Sequence, residues 1–525
     1  MKYAGLFGFL VVMGVVWWQL AMGGQMEGGG LGNGDADGGR NRGADGNGNG
    51  EAAVSATRPL APSGTPLPDE EVSRLMSALL EGDRDELLAA RDAILAARDT
   101  RFIAVFLELF RASEMGVVRA VDYRVHADTL NKLSGQSFGL DWAAWVEWYG
   151  GTDLMPPPGF TGWKGQLLAR IYPQFADFLY DGAPSKIRTE EIQWGGVVVD
   201  GIPALMEATM IPGAQGAYLE ADEAVFGISI NGDSRAYPLR ILDWHEMAND
   251  VVGGVPVSLA YCTLCGAAIA YDGRASDGNS YTFGSSGFLF RSNKLMYDHQ
   301  TRTLWNQFTG EPVLGKLAAS DVSLSLLPVV LTTWQEWQAQ HPDTLVLDLD
   351  TGYDRIYQPG AAYGDYFSGS DTMFPVWQRD DALPTKSQIY GLHLDGVRKA
   401  YPIETLAEEQ VVNDIVGQTP VVLIASRGIV TIDGQSRRIG PVTYRAGSEV
   451  RAYERTEHTF SPPLRGAPTS DPNTVLDETG RPWQITEEAL VGPEGETLTR
   501  LNGHLAYWFG WYAFFPQTEL YAPSS

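Results

Sequence analysis

The sequence contains an internal repeat, in which one stretch recurs about 164 residues further along the chain. The matched segments are Phe226-Gly227-Ile228 with Tyr390-Gly391-Leu392, Asn231-Gly232 with Asp395-Gly396, Ala236-Tyr237-Pro238 with Ala400-Tyr401-Pro402, Asn249-Asp250 with Asn413-Asp414, Trp305 with Trp483, and His341-Pro342-Asp343-Thr344 with Phe515-Pro516-Gln517-Thr518. Two copies that encode the same turns and strands predict two related halves, packed about a pseudo-twofold axis.

The first copy reads as β-structure around one short helix. Strands are predicted at 225–230, 235–239, 255–261 and 267–271, with Asn231-Gly232 as a two-residue hairpin turn. A short helix at 241–249 would carry His245, and Cys262 to Gly266 would form a turn. The predicted body is therefore mainly β.

The residues before the repeat are of a different kind. Apolar residues recur with helical period from Val72 to Phe110, with breaks at Gly82-Asp83 and Asp99-Thr100, and aromatic residues dominate from there to Lys186. These patterns predict an α+β protein in which a helical N-terminal module precedes the duplicated, mainly-β body. The predicted domains are a helical and aromatic-rich module at 69–186, a first half at 187–350 and a degenerate second half at 351–525.

The N-terminus predicts a location outside the cytoplasm. Lys2 precedes an apolar run, so residues 1–23 are either a signal peptide or a membrane anchor. Residues 24–68 are rich in Gly, Asn, Asp and Pro and read as a disordered linker.

The net charge of −27 excludes a nucleic-acid partner, because no cluster of Lys and Arg could neutralise phosphates. A membrane partner follows if the N-terminal segment is uncleaved, and the sequence identifies no protein partner.

Cys262 and Cys265 are the chain's two cysteines and lie three positions apart. A turn between them brings both sulfurs to one side, where they can form a disulfide or bind a soft metal ion. Their counterparts in the second copy are Ser426 and Ile429, and that of His245 is Glu409. We therefore expect one site per chain, in the first half.

Metal binding is the favoured hypothesis for this site. Two thiolates need further ligands, for which the sequence offers His245 first and then Met296 or His299. Thiolates with an imidazole suit copper or zinc, and a thioether ligand favours copper. An open position on zinc would also allow hydrolysis, with Glu246 as the base.

Two other interpretations stay open. Cys262 and Cys265 can exchange with disulfides as a redox pair, although the residues after Cys265 read as a strand rather than the helix that lowers a thiol pKa in many such pairs. The thiols can also form a structural disulfide in an envelope scaffold protein, although closing so short a loop contributes only about 2 kcal/mol. No catalytic residue is assigned, and whether the protein is an enzyme stays open.

The region resembles a known family. The resemblance rests on Ile230 to Leu239, Asp243-Trp244-His245-Glu246, Asn249-Asp250, Gly254 to Val257 and Tyr261-Cys262-Thr263-Leu264-Cys265-Gly266, and continues to His341-Pro342-Asp343-Thr344. These residues are similar to those of the DUF3179 family of bacterial and archaeal proteins, closely over 187–348. The resemblance implies membership of that family and assigns no reaction.

Overall fold

The helical part of the chain comes first, as predicted. The computed structural model describes residues 64–425, 427–463 and 471–523. Its N-terminal helices are α1 (Asp69–Glu81), α2 (Arg84–Ala97), α3 (Ile103–Glu114), α4 (Tyr123–Ser134), α5 (Trp142–Gly150) and α6 (Phe160–Ala169). Their apolar stripes meet in one buried core, which includes Leu75, Leu79, Phe106 and Leu109.

Both predicted helix breaks are confirmed. Gly82 ends α1, and the Asp83 side chain caps α2 by accepting from the backbone N–H of Glu86 at 3.0 Å. Glu86 completes a capping box, because its carboxylate accepts from the Asp83 N–H at 3.0 Å. Asp99 caps a 3₁₀ turn at Thr100–Phe102 that leads into α3.

Aromatic residues fill the helical core, and one lysine joins the helical module to the rest of the chain. Trp145 and Tyr149 are buried in the helical core. The buried Lys164 ammonium pairs with Glu108 at 2.6 Å and donates to the carbonyl oxygens of Thr189 and Ile192 at the start of the body. A buried lysine needs such partners, so it fixes how α6 meets the first strand of the body.

The body is β-rich and carries short helices. Its strands are β1 (Ile192–Trp194), β2 (Leu205–Met206), β3 (Met210–Pro212), β4 (Ala224–Ile230), β5 (Asp233–Pro238), β6 (Met247–Val252), β7 (Val255–Cys262), β8 (Ala267–Asp272), β9 (Phe283–Phe290), β10 (Asn293–Asp298), β11 (Leu304–Asn306), β12 (Glu311–Leu314), β13 (Leu326–Leu327), β14 (Val330–Thr333), β15 (Leu345–Leu347), β16 (Gln388–Leu394), β17 (Val397–Pro402), β18 (Val411–Val416), β19 (Thr419–Ile424), β20 (Ile429–Ser436), β21 (Gly440–Ser448), β22 (Arg451–Glu454), β23 (Thr474–Leu476), β24 (Pro482–Ile485), β25 (Ala489–Val491), β26 (Thr497–Leu501), β27 (His504–Tyr507) and β28 (Glu519–Leu520). Its helices are α7 (Leu239–His245), α8 (Trp334–Gln340), α9 (Gly364–Ser368), α10 (Ile403–Glu409) and α11 (Trp508–Phe514).

These strands form several separate sheets. In the described residues the sheet orders are β1-β9-β10-β11-β12, β13-β8-β7-β6-β2, β14-β4-β5-β15-β3, β27-β16-β17-β28, β18-β19-β22-β26-β25-β24-β23 and β20-β21. The predicted mixture of a helical module and a β-rich body is confirmed.

The predicted hairpins are confirmed, and one helix is shorter than predicted. Asn231 and Gly232 both have positive φ, as the two-residue turn between β4 and β5 requires. The helix expected at 241–249 is α7, which ends at His245. Glu246 adopts a left-handed conformation, with φ 55°, and the chain turns directly into β6. A strand partner in β7 outweighs the local helical tendency of these residues.

The cysteine turn packs against residues from the later part of the body. Cys262, Cys265 and Met296 share one buried cluster with Ile389, Trp508 and Trp511. A Cβ at Gly510 in α11 would lie only 3.2 Å from the Cys265 Cβ, so a residue without a side chain lets this helix approach the thiol. The candidate site is therefore built from residues of both parts of the body.

The N-terminal predictions lie outside the described residues. Residues 1–23 and all but the end of the linker at 24–68 are not described. In the part of the chain that the structure describes, no helix is both long enough and apolar enough to cross a membrane.

Candidate dithiol site

Cys262 and Cys265 face each other across a tight turn between two antiparallel strands. Cys262 ends β7 and pairs in register with Ala267, the first residue of β8, so the intervening residues must reverse the chain. Gly266 completes the reversal with φ 58°, a conformation that glycine adopts at little cost. Both cysteines are free thiols, with exposures of 2% for Cys262 and 0% for Cys265.

The two thiols differ in their proton affinity. Burial opposes ionisation of both. For Cys262 the hydrogen bonds from the Cys265 thiol and from the backbone N–H groups of Lys294 and Cys265 outweigh burial, and its pKa is lowered. For Cys265, burial and the charge of the Cys262 thiolate raise the pKa well above its ordinary value. Cys262 is therefore the thiol that ionises first.

Cys265 also has a contact outside the thiol pair. Its Sγ lies 3.1 Å from the carbonyl oxygen of Ser292, just before β10. The Ser292 hydroxyl in turn donates to the Pro375 carbonyl at 2.7 Å, so the segment 291–293 is held in place. The thiol proton of Cys265 is therefore aimed at two acceptors, a sulfur and a carbonyl oxygen.

A buried ion pair lies beside the thiols. The Lys294 ammonium is 3.1 Å from the Glu246 carboxylate and also donates to the Glu246 carbonyl at 3.2 Å. Thr263, between the two cysteines, donates from its hydroxyl to the same carboxylate at 3.0 Å. The N–H of Tyr261 donates to the Glu246 carbonyl at 2.8 Å. Glu246 is thus bound to the residues on both sides of Cys262.

A second carboxyl group of α7 is buried nearby. Asp243 is 2% exposed, and its Oδ1 has no hydrogen-bond partner. Burial, and then the charge of Glu246, raise its pKa well above the ordinary value. Its neighbours include the phenols of Tyr261 and Tyr507, whose pKa values burial also raises.

The structure does not bring His245 to the thiols. Its Nδ1 is 2.8 Å from the Pro203 carbonyl and its Nε2 is 2.5 Å from the Tyr357 hydroxyl. Burial lowers the pKa of this imidazole to about 4, so it is neutral. Because both ring nitrogens have partners, a ligand set of Cys262, Cys265 and His245 does not fit, and this part of the sequence hypothesis is corrected.

Of the two weaker ligand candidates, Met296 lies in β10 and His299 lies just beyond its end. Met296 is fully buried and belongs to the same cluster as the thiols. His299 follows the end of the strand, is exposed, and has its Nδ1 3.0 Å from the Thr282 hydroxyl. It is five residues beyond Lys294, or roughly 16 Å along an extended chain. Met296 thus stays a possible ligand, and His299 does not join the buried pair.

A different group contains closely spaced acidic and imidazole side chains. Within the described residues, the ligand atoms of His458, Asp477 and Glu478 lie within 4.8 Å of one another. The carboxylate of Asp477 already accepts from Arg481 at 3.0 Å and from the indole of Trp483 at 3.1 Å, as well as from backbone N–H groups. These contacts account for the buried position of Asp477, whose carboxylate stabilises a turn.

Sequence reasoning missed Lys294 and gave Glu246 only a hydrolytic role. The signal for Lys294 was a charged residue inside the strand from Asn293 to Asp298, whose neighbours are buried. A lysine in such a strand is almost never fully buried unless it is paired. The partner could not be identified, because 48 residues separate it from Glu246.

Tyrosine side chains cover the thiols on the side of an open cleft. The Tyr366 hydroxyl of α9 donates to the Leu264 carbonyl at 2.6 Å, and the Tyr507 N–H donates to the Cys265 carbonyl at 2.7 Å. Tyr507 also lines a cleft of about 700 Å³. The Lys386 ammonium lies 3.7 Å from the centre of the Tyr366 ring at this cleft. Tyr507 therefore contacts the cysteine turn and also lines the cleft.

Fold and site together define a class: a mixed α/β protein with a helical N-terminal region, a β-rich body and one buried pair of neighbouring thiols. The chain belongs to the family described as "Protein of unknown function (DUF3179)", whose model matches residues 199–518. The family resemblance seen in the sequence is thereby confirmed, and the match continues well beyond residue 348. No curated protein and no solved structure matches the chain.

Proposed function

We propose that Cys262 and Cys265 are a redox-active dithiol that interconverts with an intrachain disulfide. The observation that carries this proposal is the pair itself: two free, hydrogen-bonded thiols on one turn, with the pKa of Cys262 lowered and that of Cys265 raised. Exchange needs one thiolate to attack and a second thiol to resolve the intermediate. The asymmetry of the pair assigns the first role to Cys262 and the second to Cys265.

The exchange proceeds in two balanced steps. The Cys262 thiolate attacks a substrate disulfide, forms a mixed disulfide and releases the first substrate thiolate. Cys265 then loses its proton and attacks the Cys262 sulfur, which closes the intrachain disulfide and releases the second thiolate. The protein is oxidised by two electrons and the substrate is reduced by two.

A trapping experiment tests the proposal. In Cys265→Ser the first step remains and the second is removed, so incubation with glutathione disulfide should leave glutathione bound to Cys262, as seen by intact mass. Cys262→Ser should accumulate far less adduct on Cys265 at neutral pH, because burial still raises the pKa of that thiol. Equal labelling of both single variants, or of neither, would contradict the assignment of Cys262 as the attacking thiol.

Copper(I) binding is a second candidate, favoured by Met296. Two thiolates and a buried thioether in one cluster are soft ligands of the kind that select Cu(I). Zinc fits less well, because its structural sites use four ligands and His245 is engaged elsewhere.

The metal hypothesis is tested by titrating reduced protein with Cu(I) against a competing chelator. One ion per chain is expected, with no binding to the double variant Cys262→Ser/Cys265→Ser and weaker binding to Met296→Leu. His245→Gln is the matched control and should bind as the wild type does. Unchanged Cu(I) affinity in the double variant would exclude the site.

We further propose that the body arose from two related halves. The proposal is supported by contacts that recur at corresponding positions. The pairs are Tyr237–Asp250 (2.7 Å) with Tyr401–Asp414 (2.8 Å), Trp305–Asp298 (2.9 Å) with Trp483–Asp477 (3.1 Å), and Trp337–Thr344 (2.8 Å) with Trp511–Thr518 (2.9 Å). The order strand, strand, helix, strand, strand is also common to β4–β7 and β16–β19. Ser426, the counterpart of Cys262, lies outside the described residues.

We propose an extracytoplasmic location, either membrane-anchored or secreted, from the apolar run after Lys2. Such a compartment favours disulfide chemistry. A reporter that folds only outside the cytoplasm should be active when it is fused after residue 68. If that fusion is inactive while a cytoplasmic reporter fused at the same position is active, the proposed location is contradicted.

A further inference from the structure

We propose that the cleft lined by Tyr507 binds a small carboxylate with an apolar or aromatic body, and that the Lys386 ammonium pairs with its charged group. This site is additional to the dithiol and does not depend on a redox role for the two cysteines. Its basis is the lining of the cleft and the incomplete set of partners around Lys386.

The cleft has the size and lining of a small-molecule site. Its volume is about 700 Å³, and ligand pockets commonly measure about 300–1,000 Å³. Phe367, Tyr444 and Tyr507 line it, together with the aliphatic side chains of Ile403 and Ile429. These side chains offer an apolar surface on which the body of a ligand can be buried.

The charges of the cleft favour an anion. The charged residues that line it in the described part of the chain are Lys386, Arg445 and Glu404. Arg445 and Glu404 pair with each other, and their side chains are 59% and 77% exposed, so this pair is largely in solvent and neutral overall. Lys386 supplies the remaining charge, which is positive in a chain whose net charge is −27.

Carbonyl oxygens and aromatic rings surround the Lys386 ammonium. It donates to the carbonyl oxygens of Tyr366 and Gly369, the second at 2.8 Å. It lies 3.7 Å from the centre of the Tyr366 ring and 5.4 Å from that of Tyr507. Within the residues that the structure describes, its third N–H has no acceptor. One donor is therefore left for a ligand in the cleft.

Lys386 differs in this respect from the two fully buried lysines. Lys164 pairs with Glu108 at 2.6 Å, and Lys294 pairs with Glu246 at 3.1 Å. Lys386 is half-buried, yet no carboxylate of the described residues forms an ion pair with it. A charge removed from water without a counter-charge is costly, so an anion bound here would be stabilised. One cation matches the single charge of a carboxylate better than the near-double charge of a phosphate group.

The ionisation of Lys386 makes the site sensitive to pH. Burial lowers the pKa of this lysine to about 8, although the charges of Asp371 and Asp365 oppose the shift. Asp365 is already paired with Arg438 at 2.8 Å. The phenols of the two tyrosines beside the ammonium have pKa values raised by burial, so both stay neutral near pH 8. Carboxylate affinity should therefore fall as the pH rises through about 8.

Isothermal titration calorimetry of the full chain with naphthoate tests the proposal, with the neutral naphthamide as the matched ligand. At pH 7 we expect saturable binding of one naphthoate per chain and much weaker binding of naphthamide. Lys386→Met should weaken naphthoate binding by about tenfold or more, because a charged hydrogen bond is lost. Lys386→Arg keeps the charge and should retain most of the affinity. Lys316→Met, which removes an exposed lysine outside the cleft, should bind as the wild type does.

The pH dependence of the wild type gives an answer even if Lys386→Met does not fold. Between pH 7 and pH 9 the protonated fraction of a lysine with a pKa of about 8 falls about tenfold. Naphthoate affinity should fall by the same factor, whereas the weak binding of naphthamide should not change.

Each outcome decides for or against the site. Naphthoate binding that weakens in Lys386→Met and at high pH supports the proposal. Equal binding of naphthoate and naphthamide overturns it, as does naphthoate binding that Lys386→Met leaves unchanged. Absence of naphthoate binding to the wild type up to the solubility limit also overturns it. The dithiol proposal is tested separately by glutathione trapping and is not affected by any of these results.

Discussion

At the scale of single residues, the site was only partly predictable from sequence. Cys262 and Cys265 were identified because two cysteines three positions apart must lie close together. His245 was assigned to them by proximity in sequence, yet its ring contacts Pro203, 42 residues away, and Tyr357, 112 residues away. Which way a buried ring points depends on partners of this kind, and no local pattern contains them.

The neutral state of His245 predicts a loss of stability in acid. Its pKa is about 4 in the folded protein and near 6.5 when unfolded, so the unfolded chain binds more protons between these values. Stability is therefore fully present above pH 6.5 and is lost as pH falls toward 4. At pH 5 the stability lost through protonation of this residue in the unfolded chain is about 2 kcal/mol.

Urea unfolding at pH 7.5 and pH 5, followed by tryptophan fluorescence, measures this effect. The loss of stability between the two pH values should be smaller in His245→Gln than in the wild type by about 2 kcal/mol. His299→Gln, which changes an exposed histidine, should behave like the wild type. The same pH dependence in all three proteins would show that His245 titrates normally.

At the scale of elements, strands and turns were predicted well and the ends of helices less well. The β4–β5 hairpin followed from Asn231-Gly232, a strong local signal. The end of α7 did not, because Glu246 adopts a left-handed conformation in order to pair β6 with β7 and to bind the thiol turn. Tertiary contacts therefore decided this boundary.

We expect the short helix α9 to limit access to the thiols through Tyr366, which contacts the cysteine turn. In Tyr366→Phe the hydrogen bond to the Leu264 carbonyl is lost, which destabilises the closed cover by about 1 kcal/mol. The rate at which a disulfide reagent such as DTNB modifies the native thiols should rise up to about fivefold.

A matched change isolates this effect. Tyr149→Phe removes a similar bond, from a buried tyrosine hydroxyl to the Leu154 carbonyl, in the helical module. It should leave the DTNB rate unchanged. Equal rates in wild type and Tyr366→Phe would mean that substrates reach the thiols from another side.

Two glycines test the proposed relation between the halves. A Cβ at Gly227 would overlap the indole ring of Trp337, and a Cβ at Gly391 would overlap that of Trp511. Both alanine substitutions overpack a buried contact, so each should destabilise the protein by about 1–3 kcal/mol.

The comparison is between the two variants, measured by chemical denaturation. Related halves should show losses of similar size. Gly428→Ala is the control, because a Cβ at Gly428 would have no atom within 4 Å. Gly232→Ala is unsuitable, because the positive φ of Gly232 would add backbone strain. A large loss at one glycine and none at the other would argue against equivalent packing.

At the scale of the whole molecule, the order of helical module and β-rich body was predictable, but the position of the site between parts was not. Helical and strand periods are local and visible in sequence. The packing of α11 against Cys265, through Gly510, joins residues 245 positions apart. The predicted site lay within the first half, whereas the buried cluster around it includes Ile389, Trp508 and Trp511.

The dithiol itself is tested most directly by a redox titration of the full chain in glutathione buffers. Reversible conversion of both thiols to an intrachain disulfide is expected, seen as the loss of two hydrogens from the intact mass and as a linked peptide containing Cys262 and Cys265. Thiols that stay reduced across the series, or that pair only between chains, would contradict a redox role for this site.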